Sequence, residues 1–366
     1  MNDIRVLCIT TSSDRPEAYM FVKLRQQGIQ VDVIAHPGAP HNELIRKGGV
    51  PLEELKLKGR FDFKGIRQIR NRLKQGRYHI LHMFNNRTTS NALLASLGIP
   101  VKTICYRGIV GNVSYFDPAS WTTYLHPKVD RIICVAEAIR KSLLEIGVGP
   151  LHLDKGKVVT IHKGHELDWY DTPPGNLEEF GIPKGAFVIG CIANDRPRKG
   201  LHILIESARH LPRDNSVHIL LIGEMNSSTL LPLIDSSPLS EQIHLTGYRT
   251  DAPALIAACN TAVLPALKRE GLPKAIIEAM VNAVPPIVTR SGGSPELIVE
   301  GESGLVVTPG DAKELADAIM SLKYSSELAH KMGLQAKERI RNDFKHSATV
   351  EKTLAVYESL LSESVR

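Results

Sequence analysis

The sequence predicts an α/β protein of two domains, each a parallel sheet with crossover helices. Three observations carry this. Strand-length apolar runs alternate with amphipathic helical stretches from the start of the chain, the order expected of strand–helix–strand units. The same alternation begins afresh near Ala186, after a stretch containing Pro173-Pro174-Gly175. At 366 residues the chain is also longer than one core ordinarily holds.

In chain order, Ile4 to Thr10 (IRVLCIT) reads as a buried strand, Arg15 to Gln27 as a helix stopped by Gly28, and Val31 to Ala35 as the next strand. The loop after the first strand, TTSSDRPEAY, lacks GxGxxG, and no GxxxxGK[ST] occurs, which removes the main support for dinucleotide-fingerprint and Walker readings. The stretch 60–78 is unusually basic, with Phe61, Phe63, Ile66, Ile69 and Leu73 set among seven Lys and Arg residues. It is open between a solvated helix face and an interfacial helix drawn to anionic lipid. His79 to Phe84 is a strand that delivers Asn85-Asn86-Arg87 to the start of a helix, Thr88 to Leu97. Val101 to Cys105 is another, running into Tyr106-Arg107-Gly108. Ligands gather beyond the carboxyl ends of strands in such sheets, so both loops are candidate binding positions. Arg131 to Val135, the helix Ala136 to Ile146 and Val158 to Ile161 close the first half, and Trp169 to Asn176 reads as hinge and linker.

The second half opens with the strand Ala186 to Ile192 and the loop Ala193-Asn194-Asp195-Arg196-Pro197-Arg198-Lys199-Gly200. Two arginines and a lysine just ahead of a helix suit a diphosphate. That helix shows Leu201, Leu204, Ile205, Ala208 and Leu211 at helical spacing. Val217 to Ile222 and Gln242 to Thr246 are strands, the latter followed by Gly247-Tyr248-Arg249. The most informative stretch runs from Thr261 to Glu296. A short strand ends in Pro265, a charged loop carries Glu270, and Gly271-Leu272-Pro273 leads into a helix from Lys274 to Ala283. Pro273 suits a first helical turn, where its missing N–H has no partner to lose. Glu278 lies inside that helix, eight residues after Glu270. Pro285-Pro286 stops the helix, Ile287 to Thr289 is a strand, and Ser291-Gly292-Gly293-Ser294-Pro295-Glu296 turns into a short helix. Unpaired N–H groups at helix starts, with an acid at either end, suit an elongated anion bearing hydroxyls, such as a nucleotide-sugar. Asp311 to Leu322, Glu327 to Asn342 and Ser347 to Leu361 are helices.

Glu270-Gly271-Leu272-Pro273, four intervening residues, Glu278-Ala279-Met280, Pro286 and Gly292-Gly293-x-x-Glu296 together resemble the E-x7-E signature of retaining GT-B glycosyltransferases, family 4 (glycosyl transferases group 1). The match is dense over about 260–310, looser over 185–260, and reduced to element order in the first half. The resemblance implies two Rossmann-like doubly wound domains facing across a cleft. Residues 1–168 would form an acceptor domain, 169–345 a nucleotide-sugar donor domain, and 346–366 a helix crossing back to the first. It implies transfer of a sugar from a nucleoside diphosphate to an acceptor hydroxyl with retention. Lys199, Arg196, Glu270 and Arg107 would be the catalytic groups. Arg198, Gly271, Leu272, Pro273, Lys274, Glu278, Tyr248 and Arg249 would bind the donor, and Asn85, Asn86 and Arg87 the acceptor. Two positions depart from the family. Relatives carry a Gly-Arg pair six residues before the lysine matched by Lys199. Here Ala193 takes the arginine's place, so Arg196 or Arg198 must substitute. Many relatives also place a histidine where this chain has Cys105-Tyr106-Arg107.

The remaining composition narrows the setting. Forty-five Lys and Arg against 39 Asp and Glu give +6, which permits an anionic substrate or membrane surface. No basic-aromatic nucleic-acid module is recognisable. No secretory signal or apolar run of membrane-spanning length is read from the sequence. The five cysteines lie in apolar segments without CxxC, as reduced packing residues of a cytosolic protein do. The spacings His79-x-x-His82 and His162-x-x-His165 do not share a strand face, so no metal is expected there. No Asp-x-Asp occurs either, so protein cations are expected to do a metal's work, with no cofactor besides the substrate. The expected location is cytoplasmic, with peripheral attachment to the inner membrane face through 60–78 as one alternative. An epimerase or phosphorylase on the same architecture, or a non-catalytic nucleotide-sugar binder, are the competing readings.

Overall fold

A computed structural model describes residues 4–170 and 172–363; Asp171, inside the expected hinge Trp169 to Asn176, lies outside the described residues, as do 1–3 and 364–366. The chain forms two compact units, one of residues 1–164 with 346–366 and one of residues 165–345. The division thus falls after Gly164 rather than after Asp168. His165 already donates its backbone N–H to the carbonyl of Phe344 at 2.7 Å and pairs with Lys345, both in the second unit.

Among the described residues the first unit holds seven strands: β1 (Arg5–Ile9), β2 (Gln30–Ala35), β3 (Leu52–Glu54), β4 (Ile80–Met83), β5 (Lys102–Arg107), β6 (Arg131–Cys134) and β7 (Val158–Thr160). Their order is β3-β2-β1-β4-β5-β6-β7, with every pair parallel. The second unit holds β8 (Phe187–Ile192), β9 (Val217–Ile222), β10 (Ile243–Leu245), β11 (Thr261–Leu264), β12 (Pro286–Thr289) and β13 (Leu305–Val307). Here the order is β10-β9-β8-β11-β12-β13, again parallel throughout. Each sheet is doubly wound. The winding reverses between β1 and β4 in the first unit and between β8 and β11 in the second. The loops leaving those strands part in opposite directions and open a crevice at their carboxyl ends.

Helices cover both faces, so the central strands are apolar without alternation, as in VHILLI of β9, which is buried throughout. The second unit has one core on each sheet face: Leu264, Ile277, Met280 and Val288 in one, Leu204, Ile219, Val263 and Ile319 in the other. All five cysteines are buried and free. No helix among the described residues is long and apolar enough to cross a membrane.

The helix His346–Ser362 packs on the first unit, where Val350, Tyr357 and Leu360 join the core around Val6, Phe21 and Val33. Polar contacts fix its register. Thr349 Oγ1 accepts from the Gly164 amide at 2.8 Å and donates to the His162 carbonyl at 2.8 Å, and His346 Nε2 lies 2.9 Å from the Pro16 carbonyl. The Tyr357 hydroxyl meets His82 Nδ1 at 2.8 Å, with both side chains fully buried. His79 Nδ1 instead accepts from the Arg5 amide at 3.1 Å, so these two histidines serve separate partners. Burial holds the His82 imidazole down to about 3, and it stays neutral. Tyr357→Phe leaves Nδ1 of His82 buried without a partner and should cost about 1–3 kcal/mol of stability, read as a lower urea midpoint at unchanged m-value.

Candidate active site

The switch point of the second unit brings two loops together. After β8 the chain runs through a tight turn, Pro197–Lys199, and Gly200 starts the helix Leu201–Ser207. After β11 it runs from Pro265 to Glu270. The Leu267 amide donates to the Arg198 carbonyl at 2.9 Å. Gly200 has φ of +70°, and a Cβ there would overlap the Pro265 carbonyl oxygen, so only glycine lets the two backbones touch. The approach sets the side chains. Arg198 Nη1 reaches Glu270 Oε1 at 3.0 Å and Lys199 Nζ reaches the same oxygen at 2.9 Å, while Glu270 is only 5% exposed. Two cations on one carboxylate leave a net charge of plus one. Both cations use Oε1, so Oε2 is left for a further donor.

A third loop, after β12, props Glu270 from behind. The Gly293 amide donates to the Glu270 carbonyl at 3.2 Å. Gly292, at φ of +56°, passes so close that a Cβ would overlap that carbonyl. Arg269, one residue before the acid, is a non-glycine at φ of +66°, a strained conformation of the kind that collects at functional loops. The hydroxyls of Ser291 and Ser294 flank this glycine pair, buried and without hydrogen-bond partners among the described residues.

Gly271 and Pro273 are buried and Leu272 packs against the core, which fixes the start of the helix Lys274–Val281. Pro273 offers no side-chain cap to that helix, so among the described residues its first two amides, of Lys274 and Ala275, remain available to an anion. Glu278, 4% exposed, accepts from Lys274 Nζ at 2.7 Å one turn away.

Within the second unit, other expected members stand apart from this cluster. Of the two candidate arginines the fold brings Arg198, and not Arg196, to Lys199 and Glu270. Arg196 is exposed and lines a separate hollow with Leu201, Glu206 and Thr229. Tyr248 is 77% exposed. The Arg249 guanidinium is committed to its own loop, with two bonds of 2.8 Å to Asp251, one of 3.1 Å to Glu179, and the Phe180 ring beneath it. In the first unit, Arg107 is a buried strut rather than an open charge. It donates to the Gly111 carbonyl and stacks on Tyr124 at 4.6 Å, with Nε unpartnered. Asn85 caps the helix Asn86–Ala95 by accepting from the Thr88 amide at 3.1 Å. Asn86 Oδ1 accepts from the Tyr124 hydroxyl at 2.8 Å, and exposed Arg87 donates to the Leu57 carbonyl at 3.3 Å.

Two family models together span most of the chain. That described as "Glycosyl transferases group 1" matches residues 176–339, and "Glycosyltransferase Family 4" matches residues 19–169. The chain belongs to the group 1 glycosyltransferases. It is 26% identical over 284 residues to the capsular polysaccharide biosynthesis glycosyltransferase CapM of Staphylococcus aureus, covering 72% of each chain. To the UDP-Gal:alpha-D-GlcNAc-diphosphoundecaprenol alpha-1,3-galactosyltransferase of Escherichia coli it is 23% identical, over 81% of this chain and 79% of the other. Among solved structures, Anabaena HepE in complex with UDP-glucose superposes with a TM-score of 0.80 at 18% identity, over 97% of this chain and all of that one. The fold is therefore that of GT-B enzymes.

The sequence of this glycosyltransferase gave no warning of a charged cluster at the carboxyl edge of the first sheet. Lys163, just past β7, reaches Asp14 at 2.6 Å and Glu17 at 2.8 Å, both at the start of the helix Arg15–Gln26, and lies 5.2 Å over the Tyr106 ring. Burial pushes the Glu17 carboxyl from 4.5 up to about 7, against the pull of the Lys163 ammonium. Helical spacing marks Glu17 as an ordinary first-turn acid, and nothing local links it to Lys163.

Two outcomes test these local arguments. Gly292→Ala must hold a Cβ at positive φ against a carbonyl and should lose about 2 kcal/mol or more in urea unfolding. Gly310→Ala, at φ of +87° with open space around it, should lose only the smaller conformational part. A carboxyl raised above its ordinary value contributes stability in full below that value and loses it as pH climbs through the raised one. Stability should therefore fall between about pH 5 and 7, with a flatter profile for Glu17→Gln in pH-dependent unfolding.

Proposed function

We propose that this glycosyltransferase moves a sugar from a nucleoside-diphosphate-sugar to an acceptor hydroxyl, retaining the anomeric configuration. The observation that carries the reading is the cluster of Arg198, Lys199 and Glu270 at the second unit's switch point, beside the uncapped start of the helix Lys274–Val281. The bond from the anomeric carbon to the diphosphate oxygen breaks, and the acceptor oxygen takes its place on the same face. The acceptor's proton leaves with the diphosphate. Charge grows on the departing oxygen, where Lys199 and Arg198 stabilise it without a metal or cofactor. Glu270 accepts a hydroxyl of the donor sugar through Oε2, and Glu278 accepts the ribose hydroxyls. The backbone around Gly247, bonded to the Gly223 amide at 3.1 Å, receives the base.

The names of relatives supply the setting. CapM is named for capsular polysaccharide, and the Escherichia coli enzyme for a galactosyl donor and a lipid-diphosphate acceptor. We infer a cell-envelope glycan or glycolipid acceptor and a cytoplasmic protein that meets the membrane from inside. The helix Phe63–Gly76 supports that attachment. Phe63 is 85% and Phe61 53% exposed, Lys64 and Arg67 are exposed near them, and Lys74 is exposed further along the helix. Arg70 and Arg72 do not contribute, since they hold the Leu97 carbonyl and Asp32.

In a thermal-shift panel of UDP-, GDP- and ADP-sugars without added metal, one nucleotide should raise the melting temperature; no response to any of them defeats the reading. Lys199→Ala should lower turnover by about 10²–10³-fold, and Arg198→Ala should cost far more than Arg196→Ala, in single-turnover sugar transfer. Anionic liposomes should co-sediment the protein at low salt and release it as salt rises, with Phe61→Ser/Phe63→Ser abolishing the binding.

A further inference from the structure

The second unit carries a hollow at the other edge of its sheet. Its volume is about 530 Å³, within the usual range for small-molecule pockets. The wall is built from the residues that enter β8, β9, β11 and β12, while Arg198, Lys199 and Glu270 follow the ends of β8 and β11. The hollow is therefore separate from the candidate active site, and nothing in the proposed transfer uses it.

Its shape follows from one close approach. Gly333, inside the helix Ser326–Asp343, lies so near the Ala283 carbonyl that a Cβ would overlap it. Ala283 itself sits at φ of +56°, a strained position that turns the chain from the helix Lys274–Val281 towards β12. The first turn of the helix Ser326–Asp343, seven residues before that contact, forms the opposite wall of the open space. Phe187, Val284, Pro285 and Leu322 form the apolar part of the wall.

The chemistry of the wall is one-sided. Lys323 and His330 line it, with Ser216, Asn260, Asn282 and Ser326, and none of the lining residues is acidic. Lys323 makes no ion pair within 4.0 Å among the described residues, but its ammonium lies 5.5 Å over the Tyr324 ring and adds to the pull of the Ser216 bonds on the Asp214 carboxyl. The nearby carboxylate of Asp214 is engaged with the amide and hydroxyl of Ser216, at 3.1 and 2.5 Å. Asn260 spends its Oδ1 on the Val188 amide at 2.7 Å and Asn282 its Nδ2 on the Glu278 carbonyl at 2.8 Å, which leaves one polar atom of each for a ligand. A lysine and a histidine beside amides and the Ser326 hydroxyl, with the one nearby carboxylate, Asp214, bonded to Ser216, suit a phosphate whose remainder carries hydroxyls.

We infer that this hollow is a second ligand site, one that binds a phosphate dianion, free or as the ester of a small polyol. Calorimetric titration of the whole protein tests it, with fructose 6-phosphate, inorganic phosphate and free fructose as separate injectants. Saturable binding of fructose 6-phosphate or inorganic phosphate is expected, the first being tighter if the ester is the natural occupant, and free fructose should give no signal. Lys323→Glu should weaken binding at least tenfold. So should Ser326→Glu, whose acid at a helix start is compatible with folding. Lys199→Ala should leave it unchanged. The site is refuted if neither phosphate binds at millimolar concentration. It is equally refuted if both hollow variants bind as the parent does, or if Lys199→Ala abolishes binding, which places the phosphate in the donor loops.

Discussion

The structure depends most on one buried oxygen, Oε1 of Glu270, and the two cations that share it. A carboxylate removed from water costs several kcal/mol unless its partners are close and well placed. Arg198 and Lys199 meet that demand at 3.0 and 2.9 Å because the backbone brings them there. Gly200 lies against the Pro265 carbonyl and Gly292 against that of Glu270, contacts between main chains that no side chain can replace. The ionic cluster is thus a product of topology. It forms where the strand order reverses, from loops whose strands, β8 and β11, are neighbours in the sheet.

Much of this was legible in the sequence, and for a physical reason. Apolar runs that lack alternation report strands buried on both faces, and Pro273, Gly292 and Gly293 mark backbone shapes that few other residues adopt. Glu270 and the basic loop at 196–199 could be read as parts of one site because each follows the carboxyl end of a strand and precedes a helix, and Glu278 because it lies inside the helix that follows Glu270. Short edge elements escaped notice. β3 and β13 have three residues each, and the helices Leu230–Asp235 and Ala252–Ala257 are too short to show a period.

Contacts between distant positions were not legible at all. Sequence proximity offers Arg196 and Arg198 equally, and the turn Pro197–Lys199 decides between them. Arg249 and Arg107 read as available cations, yet one is clamped by Asp251 and Glu179 and the other stacks on Tyr124. Lys163 meets Asp14 across 149 positions of chain although β4, β5 and β6 stand between β1 and β7, so the contact depends on the path of the chain past β7, which no local pattern marks.

The path of the chain has one further consequence. His165 bonds to the backbone of Phe344 and pairs with Lys345, so the points where the polypeptide leaves the first unit and returns to it lie side by side. The second unit is therefore an insertion with adjoining ends, and the first is completed only when its final helix arrives. Such an insert can be exchanged through two joints at a single place, leaving the first unit's own fold complete. A ribosome that stops short of His346 leaves the opposite result: a self-contained insert attached to a sheet with Val6, Phe21 and His82 uncovered.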